Sequence, residues 1–197
     1  MANIDAAFGF KPIRHFYGSP WNGACKKYFV EATYGTAIFV GDPVTITGAV
    51  GVSDTLGHYI SVGLTTAETD TYPMTGIVVG VEPLLTDLSK TYNPALTAGY
   101  VYVCVDPTVV YAIQDDAGAT LTGASIGANC LFASGTGSTV TGLSAWELDA
   151  STTPTANASY QGTILGVHNK EGNALGVNCI WEVLISTTWN YDSSLGI

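Results

Sequence analysis

The chain has 197 residues, 47% of them hydrophobic and only 11% charged, with a formal net charge of −10 at pH 7. That size and apolar content allow one domain with a sizeable core that needs neither disulfides nor a cofactor, while the acidic balance argues against nucleic acid as the main partner, because phosphate binding needs a basic surface. No run of 18 apolar residues occurs, so no membrane-spanning helix is expected, and charge at less than half the ~25% usual for soluble domains predicts a surface partly buried against partners or copies of itself.

The first 27 residues carry Lys11, Arg14, Lys26 and Lys27 against a single acid, Asp5, whereas residues 28–197 carry Lys90 and Lys170 against fifteen acids. The N-terminus lacks a charged start followed by an apolar stretch, so no signal peptide is expected. Residues 1–25 contain Gly9, Pro12, Gly18, Pro20 and Gly23, too many breakers for a regular element. They also contain Phe8, Phe10, Phe16, Tyr17 and Trp21, too many aromatics for a disordered tail. The expectation is an extended arm that docks on another surface, with Phe8, Phe10, Lys11, Arg14, His15 and Trp21 as the candidate partner interface. Arg14 can make forked bonds to a carboxylate or carbonyl, and the aromatics can anchor in apolar pockets. Removing residues 2–20 is then expected to leave a folded body, residues 26–197.

In the body, apolar, aromatic and β-branched runs predict strands throughout. They are Lys26–Ala32, Thr36–Val40, Pro43–Thr47, Gly57–Leu64, Thr75–Glu82, Gly99–Asp106, Thr108–Gln114, Asn129–Ala133, Gly162–His168 and Asn178–Thr187. The one helical candidate is a short turn over Leu84–Lys90. Asp106-Pro107-Thr108 predicts a hairpin between its flanking strands, and Lys170-Glu171-Gly172-Asn173 a turn between the last two. Residues 134–159, rich in Ser, Thr, Gly and Ala, predict a long loop or protruding hairpin, and Trp189–Ile197 a tail packed on the body. About ten short strands with turn signals between them predict an all-β fold, a single β-barrel or β-sandwich with an extended N-terminal arm.

Motifs for chemistry are sparse. Gly123-Ala124-Ser125-Ile126-Gly127 has the spacing of a nucleophile elbow, but a strand-like run follows it where a hydrolase needs a helix. His15, His58 and His168 stand far apart and no Cys pair accompanies them, so no zinc site is expected. Asp115-Asp116 could face a cation, without the spacing of a calcium loop. Cys25, Cys104, Cys130 and Cys179 are widely separated, which predicts free thiols and synthesis in a reducing cytoplasm. Trp146, beside a polar loop, is the tryptophan best placed for a sugar contact. The expectation is no enzyme, no catalytic or metal-binding residues and no cofactor.

Ala2-Asn3-Ile4-Asp5-Ala6-Ala7-Phe8-Gly9-Phe10-Lys11-Pro12-Ile13-Arg14-His15 resembles the opening of a group of capsid decoration (cement) proteins of tailed bacteriophages, whose usual start is similar to A-N-x-x-A-P-F-G-F-R-P-V-R-H. Phe39–Val44, Gly76–Val81 and Tyr111–Ala117 are similar in style to later parts of that group. The chain departs at Ala7, where proline is common, and at Lys11, where arginine is common. The resemblance implies a β-rich structural protein on the outside of the phage head, often a trimer, that clamps neighbouring capsomers of the major capsid protein. It implies location on the virion after synthesis in the host cytoplasm. A tail, fibre or receptor-binding virion module is the alternative, and a carbohydrate-binding module a more distant one.

Overall fold

A computed structural model describes residues 3–47, 54, 56–65, 74–157, 159–188 and 191–192. The chain is all-β, as its strand runs predict. Its strands are β1 (Lys11–His15), β2 (Lys26–Val30), β3 (Pro43–Ile46), β4 (Val62–Leu64), β5 (Gly76–Val81), β6 (Gly99–Cys104), β7 (Val109–Gln114), β8 (Asn129–Cys130), β9 (Phe132–Ala133), β10 (Glu147–Leu148), β11 (Gly162–Val167), β12 (Ile180–Ile185), β13 (Thr187–Thr188) and β14 (Tyr191–Asp192). Among the described residues the only helical element is a single 3-10 turn at Gly123–Ser125.

Two five-stranded sheets dominate, in the orders β1-β7-β12-β11-β8 and β2-β6-β5-β3-β4. In the first sheet, alternation along β12 sends Trp181, Val183 and Ile185 inward, as Val109, Tyr111 and Ile113 are along β7. They share one core with Ile77 and Cys104 of the second sheet, so the two sheets pack in a sandwich-like arrangement. The opposite face of the second sheet buries Val30, Val44, Val62, Val78, Val101 and Val103 in a core of its own. That sheet curls until its edges meet: the Phe29 N–H donates to the Ile60 carbonyl at 3.0 Å, and Phe29 bridges Ser61. Closure of this kind removes unpaired edges.

Several expectations change. The predicted hairpin around Pro107 is instead a crossing between sheets: β6 lies between β2 and β5, whereas β7 lies between β1 and β12. A proline turn presets φ but does not decide which strand the chain pairs with next. Thr36–Val40 forms only isolated bridges, Ile38 to Asn93 and Val40 to Leu143. Leu84–Lys90 is a pair of turns rather than a helix. Residues 134–159 are not simply a protruding loop, since Trp146, Leu148 and Ala150 are buried and Leu148 pairs with Phe132. The tail's packing lies outside the described residues, apart from the backbone pairing of β14 with β13.

Candidate interaction surface at the N-terminal segment

The N-terminal segment is not a free arm. Lys11–His15 is an edge strand of the first sheet, antiparallel to β7, with a register shift between Pro12 and Arg14. Proline is tolerated at an edge because its missing N–H costs no ladder bond there. Just before it, Phe10 is 2% exposed. Its ring meets Phe132 at 4.7 Å and Tyr111 at 5.9 Å, both edge to face. Gly9 makes this entry possible: its φ is +70°, and a Cβ there would run into Ser144 and the Gly41 carbonyl. Deleting residues 2–20 therefore removes a strand and a core aromatic, and the body is not expected to fold without them.

Residues 3–8 lie along the body by side-chain clasps rather than ladder bonds. Asn3 Nδ2 donates to the Ala174 and Val177 carbonyls at 2.8 and 3.0 Å, and the Ala174 N–H donates back to Asn3 Oδ1 at 3.1 Å. Gln114 accepts from the Ala6 N–H at 2.9 Å and donates to the Ile4 carbonyl at 2.8 Å. Phe8, half-buried, separates two clefts of about 440 and 500 Å³. Phe8, Lys11, Pro12, Trp21, Leu143 and Lys170 are among the residues that line the first.

Arg14 Nη2 donates to Glu182 Oε2 at 2.7 Å, and His168 Nδ1 lies 3.1 Å from Glu182 Oε1. Desolvation pushes the Glu182 carboxyl up, but the hydrogen bonds from His168 and Arg14, together with the charge of Arg14, hold it below the usual range. Arg14 is thus engaged within its own chain. His15 Nδ1 sits 3.2 Å from Thr108 Oγ1 and 3.5 Å from Asp106 Oδ2. Of the six candidate residues, Phe8, Phe10, Lys11 and Trp21 gather at one cleft, while Arg14 and His15 face acids of the body.

Two other aromatics point outward. After β1 the chain reverses: the His15 N–H donates to the Ser19 carbonyl at 2.8 Å and the Gly18 N–H to the His15 carbonyl at 2.9 Å. The Phe16 N–H is fixed to the Thr108 carbonyl at 2.7 Å. At the tip, Phe16 is 48% and Tyr17 88% exposed, their rings 5.5 Å apart. Sequence reading counted these residues among the aromatics but did not single them out, because composition says nothing of direction.

The other chemical candidates resolve into structural roles. Gly123–Gly127 is a capped 3-10 turn rather than a strand-to-helix elbow. Trp146 is 2% exposed, which corrects its reading as a sugar contact. Asp115 is fully buried and accepts from Trp181 Nε1 and from the Ala117, Asn178 and Cys179 N–H groups. Among the described residues, no three His, Cys, Asp or Glu side chains are grouped to hold a metal ion. All four cysteines are free, Cys25 exposed and the rest buried. No helix among the described residues is long and apolar enough to cross a membrane.

Two acids set a pH dependence. Desolvation, reinforced by Asp5, Asp116 and Asp115, pushes the Glu147 carboxyl up to about 7. Burial pushes Asp42 up to about 6, against hydrogen bonds from Ser144 and the Phe39 N–H. Both hold their protons to higher pH in the folded chain than in the unfolded one. The folded state therefore binds more protons between roughly pH 4 and 7, and stability falls as pH rises through that window. Urea midpoints are expected to be higher at pH 5 than at pH 8, with Glu147→Gln flattening the upper part of the fall. A wild-type midpoint that rises over this range contradicts the assignment.

No family model matches the chain, and neither a curated protein nor a solved structure matches it.

Proposed function

We propose that the chain is a structural protein of a tailed-bacteriophage virion that binds the outside of the head and stabilises it by clamping neighbouring capsomers. Its partner in this reading is the major capsid protein, and it acts as a homo-oligomer, a trimer. The observation that carries the reading is the Phe16–Tyr17 tip: two aromatic rings held outward on a hydrogen-bonded turn, directly after the Ala2–His15 stretch whose sequence resembles decoration proteins. Rigid aromatics bury much area at little cost in side-chain entropy, which makes them effective anchors. Sparse charge and widely exposed apolar groups, such as Leu85 at 96% and Val140 at 89%, fit a molecule covered in use. Many modest contacts repeated by symmetry then hold a shell by avidity.

The test is co-sedimentation with isolated phage heads. Phe16→Ser/Tyr17→Ser is expected to change stability by no more than about 0.5 kcal/mol, since both residues are at the surface. It is expected to weaken head binding by about 2 kcal/mol or more. Unchanged binding by this variant moves the anchor away from the tip.

A tail or receptor-binding virion module is the second reading, favoured by one feature of the curled sheet. The Tyr100 ring packs against Phe29 and Tyr59, with centroids 5.5 and 5.4 Å away, and Lys27 Nζ stands 4.2 Å from the Tyr100 ring. Such a surface suits a saccharide, and binding of a glycan lost on Tyr100→Ala supports this reading over the first.

A further inference from the structure

We propose that copies of this chain join head to tail, the loop 84–90 of one copy seating Leu85 and Leu88 in the cleft beside Phe8 and Trp21 of the next. The inference deepens the oligomer of the proposed function and rests on that reading only for what the assembly serves.

The loop is built to present its leucines. The Asp87 N–H donates to the Leu84 carbonyl at 3.1 Å and the Lys90 N–H to the Asp87 carbonyl at 3.3 Å. Ser89 Oγ donates to Asp87 Oδ1 at 2.6 Å. On this fixed double turn Leu85 is 96% and Leu88 72% exposed. Two neighbouring leucines left in water on a preorganised loop mark an interaction surface.

The cleft has the complementary character. Phe8, Pro12, Trp21, Leu143 and Ile180 give it apolar walls in a space of about 440 Å³, ample for two leucine side chains. Its charge is unusual for this molecule. Of the six Lys and Arg residues, Arg14, Lys27 and Lys90 pair with acids, whereas Lys11, Lys26 and Lys170 make no ion pair among the described residues. Two of these three, Lys11 and Lys170, line the cleft. Glu182, on the same sheet face, is already held by Arg14 and His168. The cleft thus favours an apolar segment that carries an acid, and the loop supplies Asp87 between its leucines; Asp87 Oδ2 lies 3.9 Å from Lys90 of the same loop, a long and exposed pair that a neighbour's lysine can replace at little cost. Neither leucine lines the cleft of its own chain. Joining different surfaces of identical chains is a heterologous contact, which closes as a ring when the rotation allows.

The experiment is solution mass by light scattering on the full chain over a dilution series. Wild type is expected at a multiple of 20.5 kDa. Leu85→Asp/Leu88→Asp (loop spoiled) and Lys11→Glu/Lys170→Glu (cleft spoiled) are each expected at the mass of one chain, with the circular dichroism of wild type. All four side chains are exposed, so folding is retained. Mixing the two variants supplies one intact cleft and one intact loop, and a two-chain species is expected that neither variant forms alone. A single-chain wild type, an unchanged oligomer in either variant, or a mixture that stays single-chain overturns the proposal. Head binding by a single-chain wild type leaves the shell reading standing and refutes this contact alone.

Discussion

Phe10→Ala is expected to destabilise the protein by about 3–5 kcal/mol, the range for emptying a buried aromatic site. That is a large share of the roughly 5–15 kcal/mol that holds a domain folded. Phe10 is 2% exposed between Tyr111 and Phe132, so its loss opens a cavity where the N-terminal segment joins the first sheet. Urea unfolding checks this: a fall in midpoint with an unchanged slope is the predicted result. A wild-type midpoint would mean that the segment does not pack as described and is an independent arm. Phe16→Ala, six residues on, is the control and should leave the midpoint nearly unchanged.

The second large effect belongs to Asp115. Its carboxylate accepts from the Asn178 N–H at 2.7 Å, Trp181 Nε1 at 2.9 Å, the Cys179 N–H at 3.1 Å and the Ala117 N–H at 3.2 Å. Burial raises its carboxyl and these four donors lower it, with burial the larger influence. Asn178 has φ +56°, a left-handed conformation that its N–H bond to Asp115 helps fix. Asp115→Ala strands several donors, some of them fully buried, and each unpaired donor costs about 1–3 kcal/mol. The expected loss is about 3–5 kcal/mol, read from the midpoint of chemical unfolding. Asp115→Asn is expected to recover part of it, because an amide oxygen can still accept. Near-wild-type stability of the alanine variant would contradict the network.

These two residues show where sequence reading succeeded and where it stopped. The strand runs were legible because β-branched and aromatic residues recur at period two, and from Lys26 to Ile185 every observed strand but β10 falls inside a predicted run. Strand β1 was missed because Gly9, Pro12 and Gly18 read as breakers. At a sheet edge Pro12 is admissible, and Gly9 and Gly18 sit outside the strand, serving its entry and its exit turn. Asp115 read, with Asp116, as one of two adjacent acids that could face a cation. Its burial depends on the loop before β12, 63 residues further along the chain, and local sequence holds no sign of that. The candidate interface was half legible. Aromatic content flagged the segment, yet Phe8, Phe10 and Trp21 turn toward the body while Phe16 and Tyr17 turn to solvent. Trp146 failed in the same way: polar neighbours in sequence suggested a loop, but its ring lies in the core.

The N-terminal segment holds two kinds of aromatic on either side of one short strand. Phe10 locks the strand into the sandwich, and the turn that follows presents Phe16 and Tyr17. In the proposed function such a rigid mount would lose little entropy on binding, which suits a clamp made of many weak contacts.

A protein spread over the outside of a phage head, as proposed, is present in many copies per particle, and counting them decides the matter. Under the proposed function, quantitative mass spectrometry of purified virions gives the copy number of the chain relative to the major capsid protein. The expected number is of the same order as the capsid protein, and stripping the chain from particles is expected to lower head stability. A number matching the few copies of a tail component, or absence from the particle, would contradict the proposed function.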